Sequence, residues 1–413
     1  MSKTFQEAKT YKSKYWKNKP VMKFDEKTQK TTQIKTHEEL AKKYDASLTQ
    51  LPIGYTWNKV DVNNTEQMKI ISDFLTQYYR RGTESTYIVQ YTPEKLAWEF
   101  GNNGYFMYVV NTEHQHVPVG VIGFAKRNIQ LYENSYQASE PLYMCISDKY
   151  KHAGLAKVLM DEVTRVSVAD GIDAGISCNN ILVHQPVATV RQYSRPINYK
   201  KLRENDFVDI AGVDEELVHA KTRINLKPSE KYKVAEKNST NIDIVHGLYA
   251  EYMKSFNLHL IMSKEDVAHY MFDERYVKTV LIYEENSENN MPVDFVTYRI
   301  YDIINTNKTE NNIVTAADLF IYSSLIVNVD IMFINILKHI SANKIQIVYI
   351  NDMMHSNDII LSNERNIDYD TDDDDENATY DMHILKTGRK YFIGLFNLRC
   401  ETMKQNMVSW LIF

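Results

Sequence analysis

The sequence predicts a mixed α/β protein made of two similar halves. Apolar patterns of strand and helix type alternate along both halves, as in a sheet covered by helices. The 413 residues allow two or three domains at roughly 150 residues each, every one able to bury a full core. With 44% hydrophobic and 25% charged residues, the composition is that of a globular chain rather than a disordered or fibrous one.

Residues 1–50 are rich in Lys, Thr and Gln, with an aromatic island at Tyr15-Trp16 ahead of Pro20-Val21. Exposed Trp is uncommon on a free tail, so this island is expected to dock. A first unit is expected over 51–205. Its helices are read at 65–79 and 93–100, the second with Pro93 in the first-turn position that tolerates it. Strands follow at 105–111, 117–125 and 142–147. Leu155, Val158, Leu159, Val163 and Val166 form one apolar helical stripe, which predicts a helix over 155–168. Gly171 then supplies the residue favoured just past a helix end.

The second unit, 206–413, repeats this order loosely. Helices are expected at 242–256 and 263–270, with Ser263 as N-cap and Glu265-Asp266 in the first turn. Strands are expected at 279–283, 293–301 and 319–327, then a helix over 329–342 and strands at 345–350 and 391–398. Residues 408–413 form an apolar run to Phe413. The acidic run 368–376 reads as a solvated insert, with peptide steering or cation binding as the sharper alternative.

Several function classes drop out. Lys and Arg number 48 against 54 Asp and Glu, a formal net charge of −6, which argues against a dedicated nucleic-acid binder. The 3 cysteines have no paired spacing, so a reducing, cytoplasmic setting is expected and a disulfide or zinc framework is not. His114-x-His116 lacks a carboxylate at ligand spacing, so no catalytic metal is expected. The Lys-rich start has no apolar core of a secretory signal. The apolar stretch 320–337 is broken by Asn328, Asp330 and Asn335. A central Asp costs about 2.5–3.5 kcal/mol in a bilayer helix, so no stable membrane insertion is expected. Glycine-rich nucleotide loops and the Gly-x-Ser-x-Gly elbow do not occur.

What remains is a strand over 142–146, the turn Lys151-His152-Ala153-Gly154 and the helix opening at Leu155-Ala156. Free N–H groups at a helix start and its dipole make an anion site, and Gly154 lets the backbone approach a pyrophosphate. A basic-x-x-Gly-x-Ala turn is also how acetyltransferase-like folds hold acyl-coenzyme A. Glycine before a helix is common, so a plain turn stays open on this pattern alone. Cys145, in a hydrophobic strand, is more often a buried inert thiol than a nucleophile.

Ordered motifs then carry a resemblance over nearly the whole chain. Tyr15-Trp16-Lys17-Asn18-Lys19-Pro20-Val21, Leu51-Pro52-Ile53-Gly54-Tyr55-Thr56-Trp57 and Gln90-Tyr91-Thr92-Pro93-Glu94-Lys95-Leu96-Ala97-Trp98 answer signatures of the N-myristoyltransferases. In the second half Tyr252-Met253-Lys254-Ser255-Phe256, Met262 to Val267, Asp294-Phe295 and Asp352-Met353-Met354 do the same. The chain thus resembles enzymes that move myristate from myristoyl-CoA to an N-terminal glycine. The resemblance implies two tandem acetyltransferase-like (GNAT-type) halves in one saddle-shaped unit, the first binding acyl-CoA and the second the peptide. It implies a monomer with no permanently bound cofactor.

By the same resemblance, Leu142-Tyr143-Met144-Cys145-Ile146 falls on the family's Asn-Phe-Leu-Cys-Val. The backbone N–H groups of Tyr143 and Met144 then inherit the oxyanion hole, with Cys145 and Ile146 beside the donor. Lys151, His152, Ala153, Gly154, Leu155 and Ala156 take the phosphate turn, and Lys14, Tyr15 and Trp16 the segment that closes over acyl-CoA. The carboxylate of Phe413 takes the place of the family's terminal base, delivered by the last strand; its side chain is expected to matter little. Tyr79, Tyr87, Val89, Cys178 and Ser194 fall on the peptide side. Arg80-Arg81 replaces an acidic loop of the family, which implies a weaker taste for lysine in the peptide. Two other readings stay open: a transferase with an altered acceptor such as lysine, and a non-catalytic module that holds acyl-CoA or acylated peptides.

Overall fold

Runs of β-branched and aromatic residues pair into one mixed sheet of 15 strands among the described residues. This computed structural model describes residues 5–10, 13–44, 49–79, 86–101, 104–114, 117–207, 231–236, 241–285, 291–365 and 384–413. The loop 80–84 and the acidic run 368–376 lie outside the described residues.

Pro118–Leu131 and Asn134–Ile146 form a long hairpin that turns at Tyr132, where φ is 51°. Gly104–Asn111 pairs with the free side of Pro118–Leu131, and Tyr55–Asp61 lies outside it. On the other side, Ala174–Asn179 meets Asn134–Ile146 in parallel at Ala138/Ala174 and Ser139/Gly175. Beyond these pairs its neighbour is Leu385–Phe396, from near the far end of the chain. That strand is antiparallel both to Ala174–Asn179 and to Ala188–Pro196. From Ala188–Pro196 the sheet continues through Ile347–Asn351, Ile313–Tyr322, Pro292–Asn305, Val277–Glu284 and Tyr232–Glu236. Leu258–Leu260 pairs with Pro118–Leu131, and Val408–Ser409 lies parallel beside it. Strands from the second half of the chain therefore flank strands from the first half on both sides.

The helices follow their caps. Thr92 accepts from the Lys95 N–H ahead of Pro93–Phe100, and a capping box joins Ser263 and Asp266 ahead of Lys264–Phe272. The helix predicted over 329–342 is present as Val329–Ala342, and that over 155–168 as Leu155–Ala169. The largest core cluster lies under the second half, around Tyr252, Phe295 and Phe333, and reaches Trp98 and Trp410.

Three differences have physical causes. The strand expected to stop at 125 runs to Leu131, because Arg127 is only 6% exposed and is paired inside with Glu140. The strand expected over 319–327 stops at Tyr322, where the buried Asp294 carboxylate gathers the N–H groups of Leu325, Ile326 and Val327 into a loop. The apolar run 408–413 pairs only at Val408–Ser409 and leaves the ladder beyond it.

Candidate active site

The predicted oxyanion residues lie at a β-bulge. Val121 pairs with Cys145 and Gly123 with Leu142, so Tyr143 and Met144 oppose the single residue Ile122. Tyr143 takes φ = 53°, uncommon for an aromatic residue. A bulged residue leaves the ladder and re-aims the local backbone, which is how main-chain N–H groups become available to a ligand. The Tyr143 ring is buried between Tyr79 and Tyr91, at 5.5 and 5.6 Å between ring centres. Its hydroxyl donates to the buried Glu99 carboxylate. Burial, and then the Glu99 charge, push the tyrosine pKa well up, so the hydroxyl stays a donor.

Next to the bulge, Asn134–Ile146 and Ala174–Asn179 part after their two paired positions. A cavity opens there. Met160, Val163, Thr164, Ser167 and Val168 present one face of the helix Leu155–Ala169 to it. The hydroxyls of Thr164 and Ser167 donate to backbone carbonyls of their own helix, and Ser139 donates to the Ala174 carbonyl, which leaves an apolar wall. The docked aromatic island closes one side. The Tyr15 hydroxyl donates to Asp161 at 2.8 Å, Lys19 pairs with the same carboxylate, and Trp16 lies 5.2 Å from the ring of His184.

The helix beside this cavity starts at Leu155 after Gly154, whose φ of 75° suits glycine. Its first N–H groups have no partner within the helix. Lys151, His152, Ala153 and Gly154 are exposed at this end, with Lys151 paired to Asp148.

The end of the chain reaches the same region through a buried network. Arg299 Nη2 lies 2.6 Å from Asp318 Oδ2 and donates to the Ile412 carbonyl at 3.1 Å, while Nη1 lies 3.5 Å from Glu99 Oε1. Glu99 therefore links Tyr143 at the bulge to the guanidinium that holds the last peptide unit. Arg127 binds Glu140 through Nε at 2.7 Å, and Trp410 Nε1 donates to the other oxygen of Glu140 at 3.1 Å. The Phe413 ring sits 5.6 Å from the Arg127 guanidinium carbon and 5.5 Å from that of Arg299. Trp98, Tyr270 and Phe320 surround it, with ring centres 6.1, 6.1 and 5.8 Å away. The expectation that this side chain matters little does not fit such packing.

The structure thus brings Tyr79, Tyr143 and Phe413 into one connected region, and Tyr15 and Trp16 to the cavity. Lys14 is exposed and does not line that cavity. Cys145 is buried, with its thiol pKa pushed up to about 12 mainly by burial, as an inert thiol requires. Ile146 packs with Leu155 and Leu159 in a neighbouring cluster. Tyr87 and Val89 lie on a short strand paired with residues 303–305, where the Tyr87 hydroxyl donates to the Asn205 carbonyl at 3.3 Å. Cys178 lies opposite Ile393, and Ser194 is buried opposite Tyr349 and Leu385. Glu99, Arg127 and Arg299 were not foreseen, since a lone charged residue in a strand or helix reads as solvated, and neither was His184, a single histidine in a loop.

A bulged strand, a parting neighbour, a cavity between them and a helix that opens after Gly154 lie together in a mixed α/β fold. Residues 33–190 match the family model described as myristoyl-CoA:protein N-myristoyltransferase, N-terminal domain. The chain is 24% identical over 299 residues to glycylpeptide N-tetradecanoyltransferase 2 of Bos taurus, a match that covers 69% of this chain and 57% of that protein, under two thirds of its length. It is 23% identical over 411 residues to a probable glycylpeptide N-tetradecanoyltransferase of Caenorhabditis elegans, covering 98% and 86%. In fold it resembles Saccharomyces cerevisiae N-myristoyltransferase, solved with bound myristoyl-CoA. The TM-score is 0.84 at 18% identity, covering 98% of this chain and 100% of that one. The likeness to N-myristoyltransferases thus extends in sequence over residues 33–190 and in fold over nearly the whole chain.

Proposed function

We propose that this chain transfers myristate from myristoyl-CoA to the N-terminal glycine of proteins. One observation carries the reading: Arg299, which holds the Ile412 carbonyl, shares Glu99 with Tyr143, so chain end and bulge belong to one buried cluster. The donor lies with its pyrophosphate at the turn 151–156, its thioester at Tyr143 and Met144 beside Cys145 and Ile146, and Tyr15 and Trp16 over the cavity, with Lys14 at the rim.

The Phe413 carboxylate removes a proton from the glycinium amine. The neutral amine attacks the thioester carbonyl carbon, and the N–H groups of Tyr143 and Met144 receive the oxyanion. Collapse breaks the C–S bond, and the amine's second proton neutralises the departing thiolate. A carboxyl of pKa about 3.5 and an amine of about 8 differ by about 6 kcal/mol in proton affinity, a gap that desolvation narrows. Among the described residues the terminal carboxylate forms no ion pair; of the nearby guanidinium groups, that of Arg127 is paired with Glu140 and that of Arg299 with Glu99 and Asp318.

Residues 1–50 serve as the closing segment, 51–205 as the donor half and 206–413 as the peptide half, with Tyr79, Tyr87, Val89, Cys178 and Ser194 on the peptide side. The protein acts as a cytoplasmic monomer. No helix among the described residues is long and apolar enough to cross a membrane.

A coupled assay with myristoyl-CoA, a glycine peptide and a matched acetyl-glycine peptide carrying one lysine tests this. Coenzyme A release only with the free glycine supports the proposal. Release with the blocked peptide moves the acceptor to lysine, and donor binding without release leaves a binding module.

A further inference from the structure

The backbone beyond Ser409 has no ladder to hold it, and the last residues of a chain ordinarily fray. Here the last residue is gripped through its side chain. Arg127 and Arg299 are each 6% exposed, and both have in-plane N–H groups engaged. For Arg127 the partners are Glu140 at 2.7 Å and the Tyr270 hydroxyl at 2.7 Å. For Arg299 they are Asp318 at 2.6 Å and the Ile412 carbonyl at 3.1 Å. A planar guanidinium that spends its edge on hydrogen bonds still has a face to offer a ring, and both guanidinium carbons lie under 6 Å from the Phe413 ring centre.

We propose that the aromatic ring of Phe413 is a positioning group: held by Arg127 and Arg299, it fixes the terminal carboxylate where the acceptor amine must lose its proton. This rests on the reading of that carboxylate as the base. A leucine in the same place keeps the carboxylate and an apolar contact but offers nothing to the two cations. The carboxylate then samples positions away from the amine, and a displacement of about 1 Å can cost around a hundredfold in rate.

The test uses the full chain, with Phe413→Leu, Phe413→Tyr, Phe413→Trp and a one-glycine extension after Phe413. For Phe413→Leu, kcat is expected to fall about tenfold to a hundredfold while peptide KM and myristoyl-CoA affinity stay within about threefold. Phe413→Tyr or Phe413→Trp is expected to recover most of that loss. Carboxypeptidase A gives a second readout that needs no turnover: the wild-type terminus should resist trimming, and the terminal leucine of the Phe413→Leu variant should be released at least about tenfold faster. Wild-type kcat in Phe413→Leu overturns the proposal, as does failure of both aromatic variants to recover activity, or rapid release of Phe413 from the wild type. The extension separates the two ideas. If it is inactive while Phe413→Leu is normal, the ring proposal alone fails; if it is fully active, the carboxylate reading fails and takes the ring proposal with it.

Discussion

His184 shows what burial does to a single group. Its ring lines the cavity, Nδ1 meets the Gln185 carbonyl at 3.1 Å, and burial lowers its pKa to about 4. In the unfolded chain the same imidazole titrates near 6.5. Between those values the unfolded state binds a proton that the folded state refuses, so stability rises with pH across that window and falls as pH drops from 6.5 to 4. At 1.36 kcal/mol per pKa unit the effect amounts to about 3 kcal/mol. His184→Phe should flatten that part of the stability–pH profile in urea titrations at pH 7 and pH 4.5; an unchanged slope would falsify the assignment. Gly394 is the matching constraint, because a Cβ there would stand 2.7 Å from His184 Cε1. Gly394→Ala is expected to cost about 1–3 kcal/mol and to weaken myristoyl-CoA binding by crowding the cavity. A variant with unaltered donor affinity would place the acyl chain elsewhere. Cys145 and Cys400, both with pKa pushed up to about 12 mainly by burial, should resist iodoacetamide at pH 8 until the protein unfolds. Labelling of either thiol in the native protein would contradict their burial.

Among the elements, the helices were the most legible, because Pro93, Ser263 and the stripe from Leu155 act through local chemistry that the sequence displays. The strand Pro118–Leu131 was only half visible: Lys126, Arg127 and Asn128 interrupt the apolar pattern, and Arg127 is buried only because Glu140 waits on the next strand. The bulge left no trace of its own. Its positive-φ residue is Tyr143 rather than glycine, so periodicity could not have found it, and it was reached only through the resemblance. Asp294 was similarly noted as part of a motif without a visible task. It is fully buried and accepts from Ser323 Oγ, Leu325 N, Ile326 N and Val327 N at 2.8–3.0 Å. Asp294→Ala leaves those donors without their charged acceptor, which should cost about 3 kcal/mol. The urea midpoint should fall with an unchanged slope, and a loss below about 0.5 kcal/mol would mean that water replaces the carboxylate.

At the scale of the molecule, alternating elements suggested two units joined in sequence, whereas the sheet threads them together. Leu385–Phe396 separates Ala174–Asn179 from Ala188–Pro196, and Leu258–Leu260 lies against Pro118–Leu131. Neither half can satisfy its strand edges alone, and an unpaired edge in a core is costly. Multi-domain chains often unfold in steps, but this one should unfold in a single transition. The tryptophans can report it, because Trp57 and Trp98 lie in the first half and Trp410 lies near the chain end, packed in the core cluster that also holds Trp98. Calorimetry, and fluorescence of variants that keep only Trp57 or only Trp410, should give one midpoint. Myristoyl-CoA at about a hundred times its Kd should raise stability by about 2.7 kcal/mol on both reporters together, although the proposed donor site uses residues of the first half and residues 394–396. A fragment ending at residue 205 lacks the strand between Ala174–Asn179 and Ala188–Pro196, so it should stay unfolded even with the donor present. Two resolved transitions, or a folded fragment that binds myristoyl-CoA, would show that the halves are independent and that the shared strand joins rather than completes them.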